Sequence, residues 1–173
     1  PVLFVKTMLN AKPEKWQQDV LESLLTDDKI SIKSGHGTGK SALLSWIILY
    51  WLATKMPCKV AVTANTARQL NDVLMAECKK WHRQMPDGFR NLFEFKSDKI
   101  SLLGATESFA TFITSRRESP ESLQGYHSPN MIFVCDEASG IPDIIFQVGE
   151  GAMSTKGAKT ILTGNPTRNT GYF

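Results

Sequence analysis

The stretch ISIKSGHGTGKSALLSWIILYWLA, residues 30–53, decides the fold of this 173-residue chain. It reads as a short apolar strand, a glycine-rich loop and a long apolar helix in direct succession. This succession is typical of a phosphate-binding loop, in which backbone N–H groups and a helix N-terminus surround the phosphates of a nucleotide. A glycine-rich turn that precedes Lys-Ser by coincidence is the alternative, and the strand and helix signals on both sides argue against it.

The loop departs from the pattern G-x-x-x-x-G-K-[ST] in one place, because Ser34 stands where the first glycine is usual. The remaining glycines let the chain wrap closely around an anion with several amides pointing inward. We expect Lys40 to reach the β- and γ-phosphates of ATP, and the Ser41 hydroxyl to hold Mg²⁺. The predicted nucleotide-binding residues of the loop are Ser34, Gly35, His36, Gly37, Thr38, Gly39, Lys40 and Ser41.

Two acidic residues, Asp136 and Glu137, follow a continuous apolar run at 131–135. Such a run is typical of a strand buried on both faces, and in open α/β sheets the ligand lies at the C-terminal edge of the strands. We expect Asp136 to hold Mg²⁺ together with Ser41, and Glu137 to orient and polarise the attacking water. A solvated turn is the alternative, which the neighbouring phosphate loop disfavours.

The composition is that of one ordinary globular domain, with 42% hydrophobic and 21% charged residues. The chain has 20 Lys and Arg residues against 17 Asp and Glu, and the net charge of +3 restricts any contact with nucleic acid to a local patch. The three cysteines are odd in number and lack Cys-x-x-Cys spacing. This argues against a disulfide framework or a zinc site, and we expect all three to pack as small hydrophobic residues in a reducing compartment.

Neither a membrane anchor nor a signal peptide is predicted. The apolar run at 42–53 is far shorter than the ~20 residues that span a bilayer, and it begins at the phosphate loop. We treat residues 1–173 as a single domain. Because the chain starts at Pro1 without a methionine, we expect it to be a fragment of a longer protein.

An amphipathic helix is predicted at 12–26, and it carries the pair Trp16-Gln17. Many ATP-driven translocases keep a glutamine that reads the adenine edge one helix upstream of the phosphate loop. Gln17 is therefore the candidate for the adenine contact, and a solvent-facing glutamine on a surface helix is the alternative.

The rest of the chain alternates short strands with polar segments. A capping box at 66–69 starts a helix, 86–88 reads as a turn, and His82 is expected at the surface. Thr163 and Asn165, at the end of the last predicted strand, are candidates for sensing the γ-phosphate or its water, with an Asn-Pro turn as the alternative. The further predicted strands are 59–64, 92–95, 100–103, 109–113 and 159–163.

Four motifs taken together resemble the ATPase domain of the large terminase subunit of tailed bacteriophages. They are Trp16-Gln17, the phosphate loop, CDEASGIP at 135–142 and LTGNP at 162–166. They stand in the family's order, which is an adenine glutamine, a phosphate loop, Asp-Glu-Ala and a Thr-Gly-Asn-Pro coupling motif. The resemblance extends over nearly the whole chain.

The resemblance implies an α/β fold of the P-loop NTPase type, with a mainly parallel central sheet flanked by helices. An additional strand, here at 160–163, would lie between the phosphate-loop strand and the Asp-Glu strand. The implied activity is ATP-driven threading of double-stranded DNA into a capsid by a homo-oligomeric ring. The portal protein and the small terminase subunit are the implied partners, and the host-cell cytoplasm is the implied location.

The family's site residues can be carried over one by one. Gln17 matches the adenine contact, Lys40 the phosphate lysine and Glu137 the catalytic carboxylate. Ser41 and Asp136 match the metal site. Thr163 and Asn165 lie in the coupling motif at 163–165.

The arginine that stabilises transition-state charge is displaced in this sequence. Many family members carry it in the phosphate loop, where this chain has His36, and others carry it where this chain has Gln124. We therefore expect it to be Arg116 or Arg117, acting on a neighbouring subunit, with a solvated loop as the alternative.

Full-length large terminases usually carry a second, metal-dependent nuclease domain, which needs a cluster of carboxylates. After Glu137 the only acidic residues are Asp143 and Glu150, so we expect any nuclease domain to begin beyond Phe173. Two other functions stay open: a helicase-like DNA translocase, and a nucleotide-gated DNA-binding module with little turnover. The water-activating carboxylate expected at Glu137 argues against the second.

Overall fold

The computed structural model describes residues 1–115, 127–152, 156–167 and 172–173, and within them seven strands form one sheet. The strands are β1 (Lys29–Lys33), β2 (Cys58–Ala64), β3 (Phe93–Phe95), β4 (Lys99–Leu102), β5 (Ala105–Thr114), β6 (Asn130–Asp136) and β7 (Lys159–Gly164). The helices are α1 (Val2–Met8), α2 (Lys15–Ser23), α3 (Lys40–Thr54), α4 (Ala76–His82), α5 (Asp87–Arg90) and α6 (Asp143–Ala152). A π-helical segment, Gln69–Met75, runs directly into α4, and a 3₁₀ turn, Ala138–Gly140, follows β6.

The sheet is parallel over five strands and antiparallel at one end. Its order is β1-β7-β6-β2-β5-β4-β3, and only β4 and β3 run against their neighbours. The strand β7 lies between β1 and β6, so the predicted additional strand is confirmed, and with it the P-loop fold class. Because the five strands are parallel, their carboxyl ends bring the phosphate loop, Asp136 and Gly164 to one edge of the sheet.

The helix α3 is buried around its whole circumference, with 11 of its 15 residues buried. It lies between the sheet and the helices α1 and α4, where its leucine, isoleucine and tryptophan side chains form the larger hydrophobic cluster. Near its C-terminal end, Trp51 donates its indole N–H to the Asn130 carbonyl, 3.1 Å away. The predicted buried helix is confirmed, and its packing holds the phosphate loop in place at its first turn.

The opposite face of the sheet is covered by α6. Phe133 on β6 and Phe146 on α6 belong to the second hydrophobic cluster, and Tyr172 stacks on Phe146 with the ring centroids 4.6 Å apart. Neither α6 nor α1 is expected from the sequence. The helix α6 contains Gly149 and Gly151, which lower helix propensity and weaken the signal.

Two local predictions are wrong. Residues 86–88 do not form a simple turn, because Pro86 caps the one-turn helix α5 and accepts the N–H groups of Phe89 and Arg90. His82 is half-buried, not exposed. Its ring packs against Phe93 and Phe95, and its Nε2 lies 2.9 Å from the Arg90 carbonyl oxygen. Burial lowers the pKa of His82 below its usual value.

The three cysteines are free and buried, as expected. Burial raises the pKa of the Cys58 thiol to about 11, and it raises the pKa of Cys78 as well. Within the described part of the chain, no helix is both long and apolar enough to cross a membrane.

Glycine at position 149 is required by packing. A Cβ atom there would lie 2.7 Å from Cε1 of the buried Phe133 ring, whereas a Cβ on Gly151 would meet no atom within 4 Å. We expect Gly149→Ala to lower the free energy of unfolding by about 1–2 kcal/mol, because overpacking outweighs the gain in helix propensity. The control Gly151→Ala should raise it by up to ~1 kcal/mol. Chemical denaturation measures both effects, and equal changes in the two variants would contradict this packing.

Candidate active site

The phosphate loop joins β1 to α3 with two residues in the left-handed region. Gly37 has φ +73° and Gly39, the N-cap of α3, has φ +88°. The Ser34 hydroxyl lies 2.8 Å from the Thr38 hydroxyl, which also donates to the Gly35 carbonyl at 3.2 Å. Serine in the place of the first glycine therefore makes a contact across the loop that glycine could not make.

Lys40 is buried, with 6% of its surface exposed. Its ammonium group donates to the carbonyl oxygens of Ser34, 3.2 Å away, and Gly35. The positive charge expected to meet the phosphates is thus held against the loop by main-chain oxygens.

Gln17 is buried and joins α2 to the phosphate loop. Its amide Nε2 donates to the Gly39 carbonyl at 3.3 Å, and its Oε1 accepts the Glu14 N–H at 2.9 Å. A Cβ on Gly39 would lie 2.9 Å from Gln17 Nε2, so glycine is needed there for space as well as for its φ. A solvent-facing Gln17 is therefore wrong, and its contact with adenine stays a prediction.

Asp136 ends β6 with only 1% of its surface exposed, and three groups donate to its carboxylate. Oδ1 accepts the Thr163 hydroxyl at 2.8 Å and the Glu137 N–H at 3.0 Å, while Oδ2 accepts Gln69 Nε2 at 2.7 Å. Thr163 is itself fully buried. Its hydroxyl therefore contacts the metal-site acid, and its predicted role as a γ-phosphate sensor is untested.

The chemistry of Asp136 fits a divalent cation. All three of its donors are neutral, and no Lys, Arg or His side chain in the described residues forms an ion pair with it. A buried carboxylate without a cationic partner is costly, and hydroxyl and carboxylate oxygens are the ligands that Mg²⁺ prefers. Ser41, in the first turn of α3, supplies the hydroxyl.

Glu137 adopts the left-handed conformation, with φ +52° and ψ 47°. This region is uncommon for a residue other than glycine, and it is enriched at functional sites. It turns the chain sharply at the end of β6, so that Asp136 is buried while the half-buried Glu137 lines the cavity beside the loop.

A cavity of about 620 Å³ brings most of the predicted site together. Its wall also includes four residues of the π-helical segment and α4 that the sequence analysis did not identify. There Lys80 pairs with Glu77 at 3.1 Å, and the Trp81 indole donates to Glu77 at 2.8 Å. The lining residues are His36, Gly37, Thr38, Gly39, Lys40, Ser41, Ala42, Gln69, Val73, Glu77, Lys80 and Glu137.

The remaining candidates lie elsewhere. Asn165 is half-buried just past the end of β7 and does not line the cavity. Arg116, Arg117 and Gln124 fall outside the described residues, so the source of the charge-stabilising arginine stays a prediction.

Comparison with known proteins connects this site to two groups of ATPases. Residues 31–161 match the family model described as RNA cytidine acetyltransferase NAT10/TcmA, helicase domain. Over 172 residues the chain is 30% identical to a protein of Enterobacteria phage P7 named "Probable terminase, large subunit". This match covers 96% of the chain and 35% of the phage protein, so the chain spans about a third of that relative's length.

Solved structures of phage large terminases share the fold. The Thermus phage P74-26 large terminase ATPase domain superimposes with a TM-score of 0.71 at 17% identity, covering 95% of this chain and 69% of the other. The large terminase of bacteriophage HK97 gives 0.68 at 12% identity, covering 90% and 33%. A large terminase from a thermophilic bacteriophage, solved in complex with ADP, gives 0.64 at 19% identity, covering 88% and 38%.

The family model spans three quarters of the chain, and the phage relatives share both its motifs and its sheet. The chain therefore belongs to the P-loop ATPase family that the helicase-domain model describes, and its resemblance to the ATPase domain of the phage large terminase subunit is confirmed.

Proposed function

We propose that this chain is the ATP-hydrolysing motor domain of a viral DNA-packaging terminase. The observation that carries the proposal is the 620 Å³ cavity, in which the phosphate loop, Lys40 and Glu137 share one wall. Nucleotide hydrolysis needs a phosphate cradle and a carboxylate that faces the attacking water from the other side of the γ-phosphorus. Both are present in this cavity.

The residues divide the work of hydrolysis between them. Loop amides and Lys40 bind the phosphates, and Gln17 contacts adenine. Ser41 and Asp136 hold Mg²⁺, which offsets negative charge on the β and γ oxygens when it is bound. Glu137 takes the role of general base, orienting and polarising the water.

Three further residues complete the proposed mechanism. Thr163 and Asn165, at the end of β7, link the state of the γ-phosphate to the sheet. Arg116 or Arg117 of a neighbouring subunit supplies the charge-stabilising guanidinium. A shared arginine requires assembly, and we propose a homo-oligomeric ring for this reason.

The substrate of the motor is double-stranded DNA, which it translocates into a capsid. Support comes from the name of the P7 relative, a probable large terminase subunit, and from the order of the four motifs. The portal protein and the small terminase subunit are the proposed protein partners, and the host-cell cytoplasm is the proposed location.

A helicase-like DNA translocase is a second candidate, favoured by the match to a helicase-domain family model. Helicases of related fold usually need a second motor domain with its own arginines, so the parent protein's remaining sequence discriminates between the two. A nucleotide-gated module without turnover is disfavoured by Glu137, because a switch has little need of a carboxylate in the cavity.

Binding and turnover should separate in two variants. Lys40→Ala is expected to abolish ATP binding, because it removes the buried ammonium at the loop. Glu137→Gln should keep binding and lose turnover by at least ~10²-fold, because the amide cannot act as a base. Fluorescent-nucleotide titration and steady-state phosphate release measure the two effects.

Exposed residues of the same type serve as controls. Lys6→Ala on α1 and Glu107→Gln on β5 should behave like the parent chain, since both lie outside the cavity wall. Wild-type turnover by Glu137→Gln would remove the catalytic assignment, and firm ATP binding by Lys40→Ala would remove the phosphate assignment.

Assembly should appear in the dependence of hydrolysis on protein concentration. If an arginine is shared between subunits, ATPase activity with Mg²⁺ rises faster than linearly with concentration, and double-stranded DNA raises it further. An Arg116→Ala, Arg117→Ala double variant should lose most of this activity while its nucleotide affinity is unchanged. Activity strictly proportional to concentration would place the arginine within one chain and argue against a ring.

A further inference from the structure

Gln69 contacts the proposed metal site from an element that carries none of the recognised motifs. Its side-chain amide donates to Asp136 Oδ2 at 2.7 Å, and the same residue lines the cavity beside the phosphate loop. Gln69 opens the π-helical segment after β2, 67 positions before Asp136 in the sequence.

The two carboxylate oxygens of Asp136 are held by different parts of the fold. Oδ1 is held by the Thr163 hydroxyl and the Glu137 N–H, both at the carboxyl ends of β6 and β7. Oδ2 receives its hydrogen bond from Gln69. The terminal torsion of an aspartate is broad, so a carboxylate tied only at Oδ1 can still rotate. The bond from Gln69 restricts that rotation.

The backbone around Gln69 is specified as well. The Gln69 N–H donates to the Thr66 hydroxyl at 3.1 Å, which fixes where the helix begins. The helix then continues in the π form from Gln69 to Met75, a rare geometry that is frequent at functional sites. This arrangement places the amide of Gln69 at the end of β6, the strand that pairs with β2.

We infer that Gln69 is a positioning residue for divalent-cation binding: it fixes the Asp136 carboxylate in the orientation that holds the cation together with Ser41. This inference rests on the proposed function, because it concerns the same nucleotide site. Residues that orient a metal ligand from outside the coordination sphere typically contribute a factor of about 10 to 100 to metal affinity.

The test measures metal binding directly, with Mn²⁺ as the probe and ATPγS as the nucleotide. Electron paramagnetic resonance reports free Mn²⁺ in titrations of the full chain. We expect Gln69→Leu, which keeps the size of the side chain but removes the donor, to weaken Mn²⁺ binding roughly tenfold. Asn71→Ala, an exposed substitution in the same π-helical segment, should leave Mn²⁺ affinity unchanged.

Two further measurements separate positioning from a general structural effect. Affinity for the metal-free nucleotide, measured with chelator, should be the same in Gln69→Leu and the parent chain. In an Asp136→Asn background, Gln69→Leu should weaken Mn²⁺ binding no further, because the residue acts through that carboxylate. Gln69→Ala provides a second variant, and thermal unfolding shows which variants are folded.

Unchanged Mn²⁺ affinity in folded Gln69→Leu or Gln69→Ala would overturn the inference. Equal losses of metal-free and metal-dependent binding would also overturn it and leave a structural role. Failure of the proposed function gives a different result: the parent chain itself would bind neither ATPγS nor Mn²⁺, or Lys40→Ala would bind ATPγS as well as the parent chain does.

Discussion

The burial of α3 is the constraint on which the rest of the structure depends. A helix that is apolar on every side must be covered on every side, and here the sheet, α1 and α4 do so. The phosphate loop is the N-terminal extension of this helix, so its position relative to the sheet is set by the core. Lys40 is the first residue of α3 and is buried with it. The chemistry of the loop is therefore anchored by hydrophobic packing that lies behind it.

A polar counterpart lies at the neighbouring strand ends, where Asp136 joins three elements. Thr163 from β7, the backbone of Glu137 and the side chain of Gln69 all donate to one buried carboxylate. A buried network of this kind is favourable only when it is fully satisfied, and each donor here has a defined acceptor. It ties β7 and the π-helical segment to β6, while Glu137 is left to line the cavity.

Local sequence signals predict the elements that begin and end with them. The strand, loop and helix at 30–53 are adjacent in sequence, so periodicity and glycine spacing locate them well. The place of β7 in the sheet follows from the family resemblance, because strand order is not encoded locally. The π-helical segment has no sequence signature, so nothing in the pattern predicts it.

Long-range contacts account for the errors and omissions. Gln69 reaches Asp136 across 67 positions, which no spacing rule could reveal. Sequence alone puts His82 at the surface because its burial depends on Phe93 and Phe95, which reach it only through the packing of β3. Thr163 is identifiable as a residue at a strand end, but its buried contact with Asp136 can be read only from the structure.

The position of β1 in the sheet has a mechanical consequence. Within the described residues β1 pairs with β7 alone, and the ladder continues into the loop, where the Ser34 N–H donates to the Gly164 carbonyl at 3.1 Å. The base of the phosphate loop is thus tethered to the sheet through a single row of backbone hydrogen bonds. A displacement of β7 along its axis would be passed to the loop without a second strand to resist it. Such a one-sided hinge makes the grip on the phosphates responsive to force applied at the far side of β7.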